Sequence, residues 1–284
     1  PESQDAVTAR HFALTLLLIT SATVLLVRGE ILRPGPRRAL VYRLGAFVPM
    51  LASYFELRYL LPALQPVLLD AQLQAIDTAL LGVTPSIWMS QFNTLHAVEW
   101  ISFFYYSYFY VLGSFLLPTL FLDRGQRMHQ LLIGALVVAA LGHITYTLVP
   151  GVGPHATLDF EPLAGGFWWG LVEATVSSAG AQYDIFPSLH TAFPTFFAIH
   201  SFANRDQKPF RYVWPIIAFF AANTILATMF LRWHWFIDVI AGLCLAALAR
   251  AIGAAVARHE APRLEGDRRD ERQPVWEPLF RWQR

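Results

Sequence analysis

Apolar residues gather along this chain in runs of roughly 20, the length a helix needs to cross a hydrocarbon core of about 30 Å. Seven runs stand out, over 12–27, 39–62, 98–122, 129–149, 188–204, 211–231 and 234–257, and they predict seven membrane-spanning helices. The fifth is short and carries Pro194. The stretch Asp70–Leu81 reads differently. Its apolar positions 73, 76, 80 and 81 recur at helical spacing, with Asp70, Gln74 and Asp77 elsewhere. That length and period predict a helix lying on the membrane surface.

The basic residues sort by loop. Arg28, Arg33, Arg37 and Arg38 follow the first run, Arg124 and Arg127 the third, and Arg205, Lys208 and Arg211 the fifth. The alternate loops, 63–97 and 150–187, hold no Arg or Lys. Because Arg and Lys favour the cytoplasmic side, seven crossings predict an outer N-terminus and a cytoplasmic C-terminus. The expectation is an all-α polytopic protein of a plasma or inner membrane. An N-terminal segment with one added span (1–38) precedes a membrane-embedded domain (39–258) and a charged tail (259–284). Trp276, Phe280 and Trp282 sit among arginines in that tail and are candidates to rest at the membrane interface.

Composition supports the span count. Of 284 residues 55% are apolar and only 14% charged, against about 25% in ordinary soluble domains. The mean hydropathy is +0.42. So few charges cannot clothe a soluble globule, which excludes a soluble enzyme, a nucleic-acid binder and a disordered chain. A net charge of +1 implies no bulk attraction to polyanions. Cys244 is the one cysteine, so no intrachain disulfide is possible. The 20 arginines against one lysine read as genome bias. Pro1 in place of Met is compatible with a trimmed or processed start.

Ionisable groups at membrane depth are costly, so each is a functional candidate. Two clusters stand out: Phe186-Pro187-Ser188-Leu189-His190 where the fifth run starts, and Arg232-Trp233-His234-Trp235-Phe236-Ile237-Asp238 where the seventh starts. The sixth span places both on the outer side. Two helix N-termini there suit a phosphate, because unpaired N–H groups and the helix dipole favour anions. His234 and Asp238 are four apart and share a helical face. A carboxylate there can accept the Nδ1 proton and leave Nε2 as nucleophile. His190 can protonate a departing oxygen, Arg232 can balance charge on phosphoryl oxygens, and the Ser188 hydroxyl can serve the helix or a ligand. Taken singly, these residues have plainer readings: an interfacial histidine, a structural His–Asp hydrogen bond, or, for two His and one Asp, a zinc site. Their joint occurrence on one face favours the catalytic reading.

These motifs resemble the type 2 phosphatidic acid phosphatase superfamily, and most closely its inositol phosphorylceramide synthase-like branch. The resemblance rests on Phe186-Pro187-Ser188-Leu189-His190-Thr191, on Ala227-Thr228-Met229-Phe230-Leu231, and on His234-x-x-x-Asp238-Val239-Ile240-Ala241-Gly242. Pro150-Gly151-Val152-Gly153-Pro154 and Asp77-x-x-Leu80-x-Gly82-x-x-Pro85 also fit, and the likeness spans roughly 40–257. It implies a six-helix core, His234 as nucleophile forming a phosphohistidine, Asp238 as its orienting partner, His190 as acid/base and Ser188 in the phosphate cradle. It implies no cofactor and no metal. The chain departs from the superfamily in lacking its Lys-x6-Arg-Pro motif, in carrying Thr228 where the family has Arg, and in Ser188-Leu189-His190 for Ser-Gly-His. Fewer cations suit a phosphodiester better than a dianionic monoester.

The remaining outer cations are Arg58, Arg232, His96 and His155, with Glu56 near Arg58 and Glu99 opening the third span. Arg58 and Arg232 are candidates to supplement the phosphate site; Arg58 can equally pair with Glu56 or snorkel to head groups. The loop 150–187 carries Asp159, Glu161, Glu173 and Asp184, and its Phe167, Trp168 and Trp169 point to an interfacial re-entry helix or a lid. Tyr105, Tyr106, Tyr108 and Tyr110 either line a sugar or inositol pocket or pack between helices. The expected partners are the membrane, a phospholipid substrate and a lipid or polyol alcohol acceptor, with no nucleic acid. A lipid phosphate or polyprenyl pyrophosphate phosphatase would use the same residues. A non-enzymatic lipid transporter, the rival from another class, would place polar residues deep in several spans, where only His143 and Asn223 qualify.

Overall fold

The computed structural model describes residues 4–64, 67–122, 125–179, 183–264 and 279. The helices run in the order α1 (Gln4–Arg28), α2 (Pro36–Leu64), α3 (Asp70–Leu81), α4 (Pro85–Met89), α5 (Leu95–Tyr106), α6 (Tyr108–Phe121), α7 (Gln126–Leu148), α8 (Pro154–Thr157), α9 (Phe167–Ala179), α10 (Leu189–Ala203), α11 (Phe210–Phe230) and α12 (Phe236–Leu264). A single 3₁₀ turn, Ser90–Phe92, follows α4. No strand occurs among the described residues. The protein is an all-α polytopic membrane protein.

Among the described residues, five segments are long and apolar enough to cross a membrane: Val7–Arg28, Leu95–Phe121, Gln126–Leu148, Phe210–Phe230 and Phe236–His259. The third expected span comprises α5 and α6, whose hydrogen-bond ladder continues through Ser107: its N–H donates to the Phe103 carbonyl at 2.9 Å and its carbonyl accepts from Val111 at 3.0 Å. The second and fifth expected spans are helical but differ in kind from the five. Although α2 is 29 residues long, Arg43, Glu56 and Arg58 interrupt its apolar run. With only 15 residues, α10 rises about 22 Å. It is sheltered by α7, α11 and α12, so protein covers it where lipid would otherwise be required. Leu189, Ala192, Phe193, Phe196 and Phe197 are all buried there. Of the interfacial tail candidates, Trp276, Phe280 and Trp282 lie outside the described residues.

The surface helix α3 turns one edge inward. Asp70, Leu73 and Asp77 are its buried residues, while Ile76, Leu80 and Leu81 stay exposed. The carboxylates therefore face protein, against the start of α12. Glycines set the closest helix approach. A Cβ on Gly253 of α12 would lie 2.5 Å from the Gln130 carbonyl oxygen of α7, and one on Gly134 of α7 would lie 2.2 Å from the Phe196 ring. Small residues of this kind let membrane helices pack backbone to backbone. Replacing Gly253 by valine is expected to cost about 1–3 kcal/mol through overpacking, read as a lower thermal midpoint of the purified protein in detergent; an unchanged midpoint would contradict this packing.

Candidate functional site

The crossing of two helix starts builds the site. Ser188 is the N-cap of α10, and its Oγ accepts from the Thr191 N–H at 3.3 Å. Its own N–H donates to the Asp238 carbonyl of α12 at 3.0 Å. Gly242, one turn further along α12, permits this contact, since a Cβ there would fall 2.6 Å from the Ser188 carbonyl oxygen. Ser188, His234 and Asp238 are all buried.

The two imidazoles come together, with ring centroids 6.3 Å apart. His234 Nδ1 lies 2.9 Å from the Ile185 carbonyl oxygen and 3.4 Å from Asp238 Oδ2. Both neighbours are acceptors, so the proton belongs on Nδ1 and the lone pair on Nε2. Sequence reasoning anticipated Asp238 but missed the Ile185 carbonyl, which is the nearer of the two. A main-chain acceptor leaves no signature in residue types. Asp238 Oδ2 also accepts from the Trp235 N–H at 2.8 Å, the return half of a capping box.

His190 lies stacked on Tyr105, at 4.3 Å between centroids and 10° between planes, and against Tyr108 at 4.2 Å. Its Nε2 is buried without a hydrogen-bond partner among the described residues. Of the four tyrosines singled out in the sequence, 105 and 108 face this histidine. Tyr106 and Tyr110 share the other face, with ring centroids 5.9 Å apart.

Helix α3 clamps the turn that carries His234. Asp77, fully buried, accepts from the N–H groups of Phe236 at 2.7 Å and Ile237 at 2.9 Å. The first-turn donors of α12 that would suit a phosphate are thus already held by a carboxylate, leaving the start of α10 as the open helix end. Asp70 accepts from Val152 N–H at 2.9 Å, Gly153 N–H at 2.8 Å and the Trp235 indole at 2.9 Å. The loop closing α7 is thereby tied to the residue after His234. Gly153, at φ +83°, occupies backbone space that a side chain would deny, since its Cβ would meet the Trp233 carbonyl oxygen at 2.4 Å.

Arg232 sits at φ 69°, a left-handed conformation costing of order 1–3 kcal/mol for a non-glycine residue. Its surroundings enforce it. Its carbonyl accepts from the His155 N–H at 2.9 Å, its guanidinium donates to the Glu161 carbonyl at 2.7 Å, and the Phe160 ring lies 4.2 Å away. With Trp233, His155, Trp169 and Glu173 it lines a cavity of about 640 Å³. Arg58 is exposed on α2, with its guanidinium over Tyr59 at 5.1 Å. Among the described residues, no group of three or more His, Cys, Asp or Glu side chains is arranged to hold a metal ion.

Asp77→Ala strands two N–H groups at the start of α12. It is expected to lower stability by about 1.5–3 kcal/mol, the contribution of hydrogen bonds to a charged acceptor, measured as a fall in the thermal midpoint. Asp77→Asn, which keeps an acceptor oxygen, should recover part of that loss.

Residues 71–252 match the PAP2 superfamily. No curated protein and no solved structure matches the chain. The matched stretch covers well over half of the sequence and contains both histidine clusters, Asp77 and Asp238, and on that match the chain belongs to the PAP2 superfamily, whose members are phosphatases or phosphotransferases.

Proposed function

We propose that this membrane enzyme transfers phosphoryl-linked head groups between lipids through a phosphohistidine on His234, in the manner of the inositol phosphorylceramide synthase-like branch. The observation that carries the reading is the His234 imidazole held through Nδ1 by the Ile185 carbonyl and Asp238, with His190 opposite. Such an imidazole presents Nε2 as a nucleophile.

In the first step Nε2 of His234 attacks the phosphorus of a phospholipid. The bond to the lipid alcohol oxygen breaks, and His190 gives that oxygen its proton. In the second step an acceptor hydroxyl attacks the phosphohistidine, the P–N bond breaks, and His190 takes the hydroxyl proton. The lack of cations favours a phosphodiester substrate. Thr228 stands where the family Arg would be, and the Arg232 guanidinium is engaged by Phe160 and the Glu161 carbonyl. In this reading Arg232 and Arg58 attract anionic head groups and leave the reacting phosphorus to Ser188 and the start of α10. The site faces the outer leaflet, with the C-terminus in the cytoplasm, as the arginine distribution suggests. The transporter reading loses its two candidates to internal pairing: Ser53 lies 3.0 Å from His143 Nδ1, and Asn223 accepts from the Trp100 indole at 3.1 Å.

Purified protein supplied with a phospholipid radiolabelled at phosphorus is expected to give an acid-labile, alkali-stable phosphoprotein. His234→Ala should abolish it, and His190→Ala should slow turnover by about 10²–10⁴-fold. A new labelled phosphodiester identifies transfer; a water-soluble labelled product identifies hydrolysis. Labelled phosphoprotein persisting in His234→Ala would refute the assignment. Chelators are expected to leave turnover unchanged, and strict zinc dependence would overturn the mechanism.

A further inference from the structure

A second crevice lies at the end of the bundle opposite His234, where α6 ends and α7 and α11 begin. It encloses about 380 Å³. Phe115, Pro118 and Leu122 line it from the α6 side, Phe210 and Val213 from α11, and Arg127 from the first turn of α7. Ser114 lines it too, but its hydroxyl donates to the Val111 carbonyl of its own helix at 2.9 Å. Apart from the Thr119 hydroxyl and the Arg127 guanidinium, the side chains of the walls therefore present hydrocarbon. From Ser114 to Leu122 this apolar wall follows α6 for about 12 Å.

Arg127 is fixed in position. Its Nη1 donates to Gln207 Oε1 at 2.9 Å, and its guanidinium lies 5.3 Å from the centre of the Phe210 ring. The two connections bordering the crevice are basic as well. Residues 123–127 and 204–211 together carry five Arg or Lys against two Asp. Lys208 immediately precedes the lining residue Pro209, and Arg211 follows Phe210. A small soluble anion would satisfy these cations and leave the wall to solvent. A zwitterionic lipid would cover the wall and leave the excess of positive charge unmatched. An amphiphile with an anionic head group meets both demands, since basic pockets between membrane helices attract anionic head groups and a guanidinium offers phosphate a planar fork.

We propose that this crevice binds one anionic phospholipid of the leaflet opposite the His234 site, with an acyl chain along α6 and the phosphate on Arg127. The proposal is independent of the phosphohistidine reading, because none of its residues belongs to that site. Lys208 and Arg211 add attraction for the head group. Arg205 is committed to the end of α10: its guanidinium lies 4.1 Å from the Phe202 ring and donates to the Phe202 carbonyl at 2.9 Å.

The test titrates purified protein in detergent with dioleoylphosphatidylglycerol or dioleoylphosphatidylcholine and counts bound lipid by native mass spectrometry. Wild type is expected to hold one phosphatidylglycerol about fivefold or more tightly than phosphatidylcholine, the factor supplied by one basic side chain. Arg127→Gln should bring the two lipids to within about twofold of each other by removing that factor. Ser114→Trp keeps every charge and fills the crevice, and should remove the tightly held molecule. Arg205→Gln, an exposed charge outside the crevice, should stay within about twofold of wild type. Equal retention of the two lipids by wild type overturns the proposal, as does wild-type retention of phosphatidylglycerol by Ser114→Trp. An equal loss in Arg205→Gln and Arg127→Gln would show diffuse surface charge in place of a site, and overturns it as well. So does displacement of the lipid by glycerol 1-phosphate at equal concentration, which would mean that the head group alone is bound. Should Arg127→Gln fail to fold, Ser114→Trp and Arg205→Gln decide.

Discussion

A membrane helix that begins beside a buried histidine must satisfy its first N–H groups where water is scarce, and in this protein a carboxylate from another helix does so. Asp77 takes the N–H groups of Phe236 and Ile237, and so fixes where α12 starts and how the preceding turn leaves α11. Two residues before Phe236 is His234; two after is Asp238. Asp70, two turns earlier on the same edge of α3, ties Trp235 to the loop closing α7. Glu99 repeats the device at α9, accepting from Gly166 at 2.9 Å, Trp168 at 3.1 Å and Trp169 at 3.0 Å. An unpaired polar backbone group is expensive in a poorly hydrated setting, and three acidic side chains meet that need at the joints of this fold.

The same economy leaves the site poor in positive charge. Carboxylates and carbonyls surround His234, whereas Arg232, the nearest arginine in sequence, braces the loop at Glu161. The aromatic flanks of His190, Tyr105 and Tyr108, hold its ring in one plane. In the proposed role of proton carrier, a ring fixed in this way loses little freedom when a substrate arrives.

Much of this was legible in the sequence because it followed from period and composition. Apolar runs located the helices, and the His234–Asp238 spacing predicted the 3.4 Å contact of the pair, although His234 precedes α12, which begins at Phe236, so the turn into the helix and not a shared helical face brings them together. Asp70–Leu81 read correctly as a helix, yet its acids face inward, because hydropathy cannot tell a solvated carboxylate from one that caps a distant helix. The α2 and α10 spans show the related limit. An apolar run gives the amount of greasy surface, and the neighbours decide whether lipid or protein covers it. The Ile185 carbonyl and the left-handed Arg232 were out of reach, since both are backbone facts set by the crossing of α10 and α12. The tyrosine cluster divided cleanly once its positions were laid on a helix, as 105 and 108 fall on one face and 106 and 110 on another.

The shortness of α10 has a bearing on how a lipid is handled. Its 15 residues rise about 22 Å against a hydrocarbon layer of about 30 Å, so α10 alone falls short of crossing it. Under the proposed function, a start of α10 recessed on the outer side would bring His190 toward the depth at which a phospholipid in its own leaflet carries its phosphorus. The acyl chains would then remain among their neighbours during the reaction. Sideways diffusion in the bilayer would be the natural route for the proposed substrate and for the alcohol it leaves.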